Sequence, residues 1–432
     1  MHAIPFDTEP DDRSTLLRWV AQHHLSGQRS AAAELAGAVS WAAFHSEESV
    51  VGPVETWEQG FLPLAGEGTP EVAEFSIAEF AAVLGKSTDA GRTYIGDALE
   101  LAHRLPRIYA RTQHDILEVW RARQIAQTTR CLPPEGAAYV DRMLAPIAHK
   151  VGKVRIDRLV EEAMARFDPD QARQRAAAAA EGRKVDVHRD DLDHAGLADI
   201  AATVDLADAD DFEAAIARRA AHLGEQGDTD PLDVRRAKAL GAMARADLGL
   251  DLQTGERSAP AGTGVELRVH VNGADLDAAL SDGEGASLAR VERTRSFIHL
   301  DALRRWLSRP DLKLSIRQVI DTTSTIRGDQ HEIPDRLRLQ VTERDDHCVF
   351  PHCTRPAHRA DLDHITPYDD GGGGSAPPGQ TRAENLAALC RNHHRHKTFG
   401  GWSYTMLEPG YYLWRTPHGH RLLVTPTGTV TL

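Results

Sequence analysis

Apolar residues recur at three- and four-residue spacing through most of the first 250 positions, which predicts helices. Residues 14–45, with STLLRWVAQHHL and RSAAAELAGAVSWAAF, predict a long Ala- and Leu-rich helix. A Gly/Pro/Glu stretch over 46–74 interrupts it. FSIAEFAAVLG and DAGRTYIGDALELAHRL then predict two helices around Gly85-Lys86-Ser87. They read as a helical hairpin in a bundle rather than a DNA-binding helix-turn-helix, because the second begins without a basic face. ARTQHDILEVWRARQIAQTT, GAAYVDRMLAPIAHKV and VRIDRLVEEAMARF continue the helical pattern. KVDVHR alternates like a strand, and FEAAIARRAAHL and PLDVRRAKALGAMARADL return to helix. LQTGERSAPAGTG, residues 252–264, has linker composition. VELRVHVN and LKLSIRQVID alternate with period two, as strands do. A further helix is predicted from Pro334 to Arg344.

These patterns predict an α+β protein in several parts: a mainly helical domain over 1–250, a linker over 251–264, a strand-containing segment over 265–333 that continues the helical domain, and a C-terminal domain over 334–432 ending in a β-hairpin. Apolar residues make up 41% of the 432 and charged residues 26%, which is ordinary globular composition with material for more than one core. MHAIPFDTEPDDRST is acidic without an apolar centre, so no signal peptide is expected. No uncharged apolar run approaches the roughly 20 residues that span a bilayer.

The net charge of −14 excludes a uniformly basic nucleic-acid coat. It is unevenly spread. Residues 331–432 hold 11 Lys+Arg against 11 Asp+Glu, so the whole surplus lies before residue 331. The same C-terminal stretch holds 10 of the 22 histidines and three of the four cysteines. So few cysteines make no disulfide scaffold; clustered beside histidines, they point to a metal site in a reducing compartment, the cytoplasm.

The cluster spans residues 347–397. Cys348 and Cys353 bracket a turn containing Pro351, and Cys390 and His393 come later with the spacing of the second half of a zinc finger. Zinc takes four tetrahedral thiolate and imidazole donors, and a fragment with little core gains from a metal staple. At about 100° per residue, His393 lies about 60° to one side of Cys390 and His394 about 40° to the other, so either can complete the zinc; His396, about 120° away, cannot. His347, His352 and His358 are competing donors. LDHITPY predicts a strand on which Asp363 and His364 leave by opposite faces, one suited to a hard cation and the other to a separate group. The glycine-rich run at 371–379 is a loop within the cluster. ENLAALCRNHHRHK is rich in helix formers.

Cys-x4-Cys, Asp-His, Asn and Cys-x2-His-His-x2-Lys, in that order, resemble the HNH endonuclease motif, with His364, Asn385 and His394 as its H, N and H. The chain is similar over most of its length to proteins joining an Ala-rich helical N-terminal domain of unknown function to a C-terminal HNH unit. The resemblance implies a ββα-metal fold of a two-stranded hairpin, a loop and one helix. It implies His364 as the general base, Asp363 and His394 as ligands of a divalent cation, Asn385 as a backbone clamp on the loop, and Cys348, Cys353, Cys390 and His393 as ligands of structural zinc. Mg2+ or Mn2+ suits the mixed carboxylate–imidazole pair. DNA is the expected partner. The sequence departs from many such units in its Cys-x4-Cys, its terminal His393 and its long loop before Asn385.

Arg391, Arg395, Lys397 and Arg359, with Arg355 and Arg382 beside them, offer local positive charge for phosphates despite the acidic total. Two other functions fit the same residues: a zinc-stapled module that binds nucleic acid without cutting, and an acidic helical domain that shields the site by mimicking the charge of DNA. Cys131, Trp19, Trp41, Trp120 and Trp306 are read as packing residues, His23 and His24 as surface. Trp402 and Trp414 are read as part of a terminal hairpin, with base stacking as their alternative use.

Overall fold

The computed structural model describes residues 12–47, 49, 60–188, 197–248, 269–270, 288–291, 297–299, 327–328, 332–371 and 377–432. The linker at 252–264, the strand LKLSIRQVID and Trp306 lie outside the described residues; of VELRVHVN only Val269–His270 is described, as β5. The chain forms two compact units, residues 1–174 with 320–432, and residues 175–319. The N-terminal helices and the Cys/His segment therefore share one unit.

In that unit, α1 (Arg13–Phe44) starts where the Asp12 carboxylate accepts the Thr15 N–H at 2.8 Å. Its second half buries Ala32, Leu35, Ala38 and Ala42, one stripe at helical spacing. A short ladder of β1 (Phe61–Leu62) and β2 (Val72–Ala73) leads into a helical hairpin, α2 (Ser76–Val83) and α3 (Thr88–Leu99). Its turn needs Gly85, whose φ is +65°, and Ser87 caps α3 through the Ala90 N–H at 3.3 Å. The two helices approach so closely that a Cβ at Gly91 would lie 2.3 Å from that of Ala81. This is the predicted hairpin, buried in the bundle.

A π-helical turn, Glu100–Arg104, comes directly after α3. The fully buried Glu100 carboxylate accepts from Arg104 at 2.9 Å, Thr129 at 2.8 Å and the Gly66 N–H at 3.0 Å. Then come α4 (Pro106–Gln113), α5 (Val119–Thr129), α6 (Pro134–Leu144) and α7 (Lys153–Phe167), followed by α8 (Pro169–Ala180), whose residues from Arg175 on belong to the other unit. Asp141 caps α4 from a neighbouring helix, accepting the Ile108 N–H at 2.9 Å. Leu35, Leu101, Leu105, Ile108, Ile125, Val140 and Ile156 form the shared core. Cys131 is half-buried against this core, and Trp41 packs beside a second cluster around Ile77 and Ile95. Trp120 corrects the sequence reading: it is 56% exposed, its ring covered by the Arg121 guanidinium at 4.4 Å, because its side of α5 faces solvent.

The other unit contains the antiparallel pair β3 (Lys184–His188) and β4 (Asp199–Thr203). Helices α9 (Leu206–Glu225) and α10 (Leu232–Leu248) pack through Ile216, Ala220 and Ala239. β5 joins β6 (Leu288–Val291) and β7 (Phe297–His299) in a three-stranded sheet.

The C-terminal segment returns to the first unit. β8 (Arg327–Gly328) precedes α11 (Asp335–Asp345). Asp345, at the end of α11, ties two later parts of the chain together: its carboxylate accepts the Ala388 N–H at 2.8 Å and the Tyr412 hydroxyl at 2.5 Å; it also accepts from the neighbouring Arg344 guanidinium at 2.7 Å, which in turn donates to the Ala383 carbonyl at 2.6 Å. β9 (Asp361–His364) runs antiparallel to β11 (Leu386–Leu389), pairing Asp363 with Ala387 and His364 with Leu386, while β10 (Thr381–Arg382) pairs with β8. Helix α12 (Arg391–Phe399) starts at Cys390. Here the structure corrects the helical reading of ENLAALC. Leu386–Leu389 is a strand buried at all four positions, and continuous burial together with pairing to β9 overrides the helix preference of Leu and Ala.

The chain ends in a four-stranded meander rather than a single hairpin: β12 (Ser403–Glu408), β13 (Tyr411–Arg415), β14 (Arg421–Thr425) and β15 (Gly428–Thr431). Trp402 and Trp414 are 3% and 0% exposed in the core beneath it, so both serve packing and neither offers a stacking face. Among the described residues no helix is long and apolar enough to cross a membrane.

Candidate functional site

Two groups of side chains gather around β9 and α12. The first is Cys348, Cys353, Cys390 and His393. Their donor atoms all lie within 4.8 Å of one another and all four residues are buried. Cys348 and Cys353 flank a tight knuckle in which His352 takes a φ of +57°; Cys390 is the N-cap of α12, and His393 lies in its first turn. The His393 Nδ1 atom is 3.5 Å from the Cys348 Sγ and 3.3 Å from the Cys390 Sγ. A zinc ion with bonds of about 2.3 Å to sulfur and about 2.0 Å to nitrogen would separate such donors by about 3.6 Å, so the set fits a tetrahedral ion.

No cysteine is in a disulfide. Hydrogen bonds from Cys348 and Cys353 pull the Cys390 thiol far below its ordinary pKa, while burial pushes Cys348 well up. Such a sulfur group is stable with all its members deprotonated only around a cation. The Cys3His cluster can hold a structural metal such as zinc. His393, not His394, turns toward the sulfurs. His347 instead lies against the Cys348 carbonyl at 3.1 Å, and neither His352 nor His358 joins the set.

The second group surrounds Asp363, which is 4% exposed. Its Oδ1 is 3.0 Å from the His394 Nε2 and accepts from the Lys397 Nζ at 3.1 Å; its Oδ2 accepts the Tyr404 hydroxyl at 2.8 Å. Burial opposes ionisation of this carboxyl, but the bonds from His394, Lys397 and Tyr404 outweigh it and hold its pKa below the usual value. Tyr404 stays a neutral phenol, since burial and the adjacent carboxylate push its pKa well up. Lys397 also donates to the His364 carbonyl at 2.9 Å. His364 itself leaves β9 the other way, its Nε2 3.1 Å from the Thr381 Oγ1. Asn385 lies between β10 and β11: its Oδ1 accepts the Thr366 N–H at 2.8 Å, and its Nδ2 donates to the carbonyls of Thr366 at 3.2 Å and Gln380 at 3.0 Å.

The predicted phosphate contacts divide. Arg391 has an 80% exposed side chain and only a long 3.4 Å contact to Asp361, and Arg359 is exposed. Lys397 is committed to Asp363 instead. The Arg395 guanidinium is held bidentately by Glu74, just before α2, at 2.8 and 3.0 Å. Other side chains of the helical half reach the same region. Glu79 holds His418 at 2.7 Å, Thr88 meets His393 at 2.9 Å, and Phe75 packs edge-on against His396. Burial pushes His396 down to about 3, so it is a neutral packing residue at neutral pH. Thr88, Thr381 and Tyr404 are residues that sequence reasoning missed; hydroxyl-bearing side chains carry no spacing signal.

No solved structure matches the chain. Among proteins of known sequence, it is 30% identical over 385 residues to the uncharacterized protein Rv3776 of Mycobacterium tuberculosis, covering 83% of this chain and 71% of that protein. The uncharacterized protein Rv2100 of the same organism is 38% identical over 92 residues, 21% of this chain and 15% of its own length. A family described as "Domain of unknown function (DUF222)" matches residues 61–345, well over half of the sequence, and the chain belongs to that family.

Proposed function

We propose that the protein is a metal-dependent HNH endonuclease that hydrolyses phosphodiester bonds of DNA. One observation carries the reading. Asp363 and His364, neighbours on a strand paired antiparallel to β11, diverge to opposite sides, and Asp363 meets His394 of the next helix at 3.0 Å. Two donors bound at adjacent positions of an octahedral Mg2+, each at about 2.0–2.1 Å, lie about 2.9 Å apart, so the Asp363–His394 pair fits Mg2+ or Mn2+. Such an ion, when bound, supplies positive charge to the phosphate and to the leaving oxygen.

The remaining work falls to side chains. His364 takes a proton from a water whose oxygen attacks phosphorus as the bond to the 3′-oxygen breaks, leaving 5′-phosphate and 3′-hydroxyl ends. Thr381 orients its ring. Asn385 fixes the backbone between β9 and β11 through its three hydrogen bonds. Arg391 and Arg359 face solvent, where phosphates can reach them. Cysteine thiols around zinc suit the reducing cytoplasm.

Plasmid nicking with Mg2+ and with Mn2+, by wild type and His364→Ala, tests the reading. Cutting by wild type and a loss of at least about 100-fold in the variant are expected. Absence of cutting with either ion, with DNA binding retained, would replace the enzyme by a non-cleaving zinc-stapled binding module.

A further inference from the structure

The zinc ligands lie beyond the matched family domain, yet a residue from inside that domain touches one of them. Thr88 opens α3, is 5% exposed, and its Oγ1 lies 2.9 Å from the His393 Nε2. The other ring nitrogen, Nδ1, faces Cys348 and Cys390. A metal-bound imidazole nitrogen carries no proton, so Nε2 carries it, and the threonine oxygen is its acceptor. Phe350 stacks on the ring at 4.0 Å with planes 10° apart, which leaves the ring little freedom to turn.

The contact belongs to a continuous interface. Ala78 and Ala82 of α2 are buried in the same core as Cys348, Cys353 and Cys390. Glu74 grips Arg395 one turn along α12, and Glu79 grips the turn between β13 and β14 through the His418 ring and N–H. The close contact of Gly91 with Ala81 sets α3 against α2, and thereby sets how far Thr88 reaches.

We propose that Thr88 is a positioning residue of the zinc centre, and that the α2–α3 hairpin of the DUF222 domain and the metal stabilise each other's binding through it. Groups that receive the outer N–H of a metal-bound histidine commonly contribute 10–100-fold to metal affinity. Coupling is reciprocal: whatever the hairpin adds to zinc affinity, zinc adds to hairpin docking. This inference rests on the Cys3His cluster and stands whether or not the protein cuts DNA.

The test uses the zinc-loaded full chain, with zinc transfer to a chromophoric chelator measured for wild type, Thr88→Val and Thr88→Ser. Thr88→Val keeps the volume and removes the acceptor; it is expected to release zinc at a free-metal level about 10-fold higher than wild type, and Thr88→Ser to return most of the loss. Zinc held by Thr88→Val as tightly as by wild type, or as weakly by Thr88→Ser as by Thr88→Val, would overturn the proposal. A second measurement needs no variant. Removing zinc from the wild type is expected to speed amide exchange at residues 88–92 while leaving α7 protected, and unchanged exchange at 88–92 would equally overturn it.

Discussion

Replacing Asp363 by Asn and Lys397 by Met, singly and together, isolates the ion pair at the centre of the candidate site. The two charges are 3.1 Å apart, on side chains 4% and 16% exposed. At an effective dielectric constant of about 20, their attraction is about 5 kcal/mol, and the cost of taking both ions out of water cancels much of it. Removing one partner is a different matter. Asp363→Asn leaves an ammonium whose remaining strong acceptor is the His364 carbonyl; Lys397→Met leaves a buried carboxylate with Tyr404 and His394. Each single change is expected to cost about 3 kcal/mol, Lys397→Met the less because Asp363 keeps two donors. The double variant buries no unmatched charge, so its cost should fall short of the sum by about 2–3 kcal/mol. Amide exchange of the β9–β11 ladder is the assay, because it reports local opening and not the unfolding of a two-unit chain. Additivity of the two costs within about 0.5 kcal/mol would refute the argument that the pair acts as a unit. Lys397→Met also leaves Oδ1 to the His394–cation pair, so Mn2+ binding measured by electron paramagnetic resonance should tighten in that variant and vanish in Asp363→Asn.

Chelating zinc is expected to abolish the near-ultraviolet circular dichroism of Trp402 and Trp414, since Phe350 links their packing to the His393 ring, while most far-ultraviolet helical signal persists. Gly91→Ala should destabilise by about 1–3 kcal/mol because its Cβ would meet the Ala81 Cβ at 2.3 Å. Gly37→Ala, on an α1 surface with nothing within 4 Å, should instead stabilise by about 0.5–1 kcal/mol; thermal unfolding of both checks the pair. Arg391→Ala should reduce the salt dependence of DNA binding by about one unit of slope, whereas Arg395→Ala should lower stability through its Glu74 contact and leave the slope alone.

A feature was legible in the sequence to the extent that it is determined locally. The Cys3His set was readable because the donor types are rare and each pair is close in sequence. Helical geometry could not choose between His393 and His394, which flank the Cys390 direction almost evenly. The choice is made by the knuckle at 348–353, which places its sulfurs on the His393 side. The helical hairpin around Gly85 was readable for the same local reason. The strand Leu386–Leu389 was not, since its four residues favour helix in isolation and only the ladder to Asp361–His364 makes them extended. Arg395 looked like a phosphate contact because Glu74, 321 residues earlier, has no mark in the sequence that it will return to α12. Thr88 and Tyr404 were invisible for that reason too.

The Cys3His cluster, which can hold a structural metal, and the Asp363 cluster are two uses of one short helix. Cys390, as N-cap, and His393 fix the start and rotation of α12 at the sulfurs. His394 and Lys397, four and seven residues after Cys390, are then carried onto the Asp363 carboxylate with no further freedom than their own side chains. A nine-residue helix cannot hold such an orientation alone, because isolated helices shorter than about 12 residues are marginal in water. Its position is therefore set by what grips it: three sulfurs at one end, Asp363 through His394 and Lys397, and Glu74 through Arg395. Two of those grips come from the C-terminal segment and one from the family domain. The helical domain is thus a structural part of the site itself, and a change at Glu74 or Thr88 should move His394 relative to Asp363 without touching either residue.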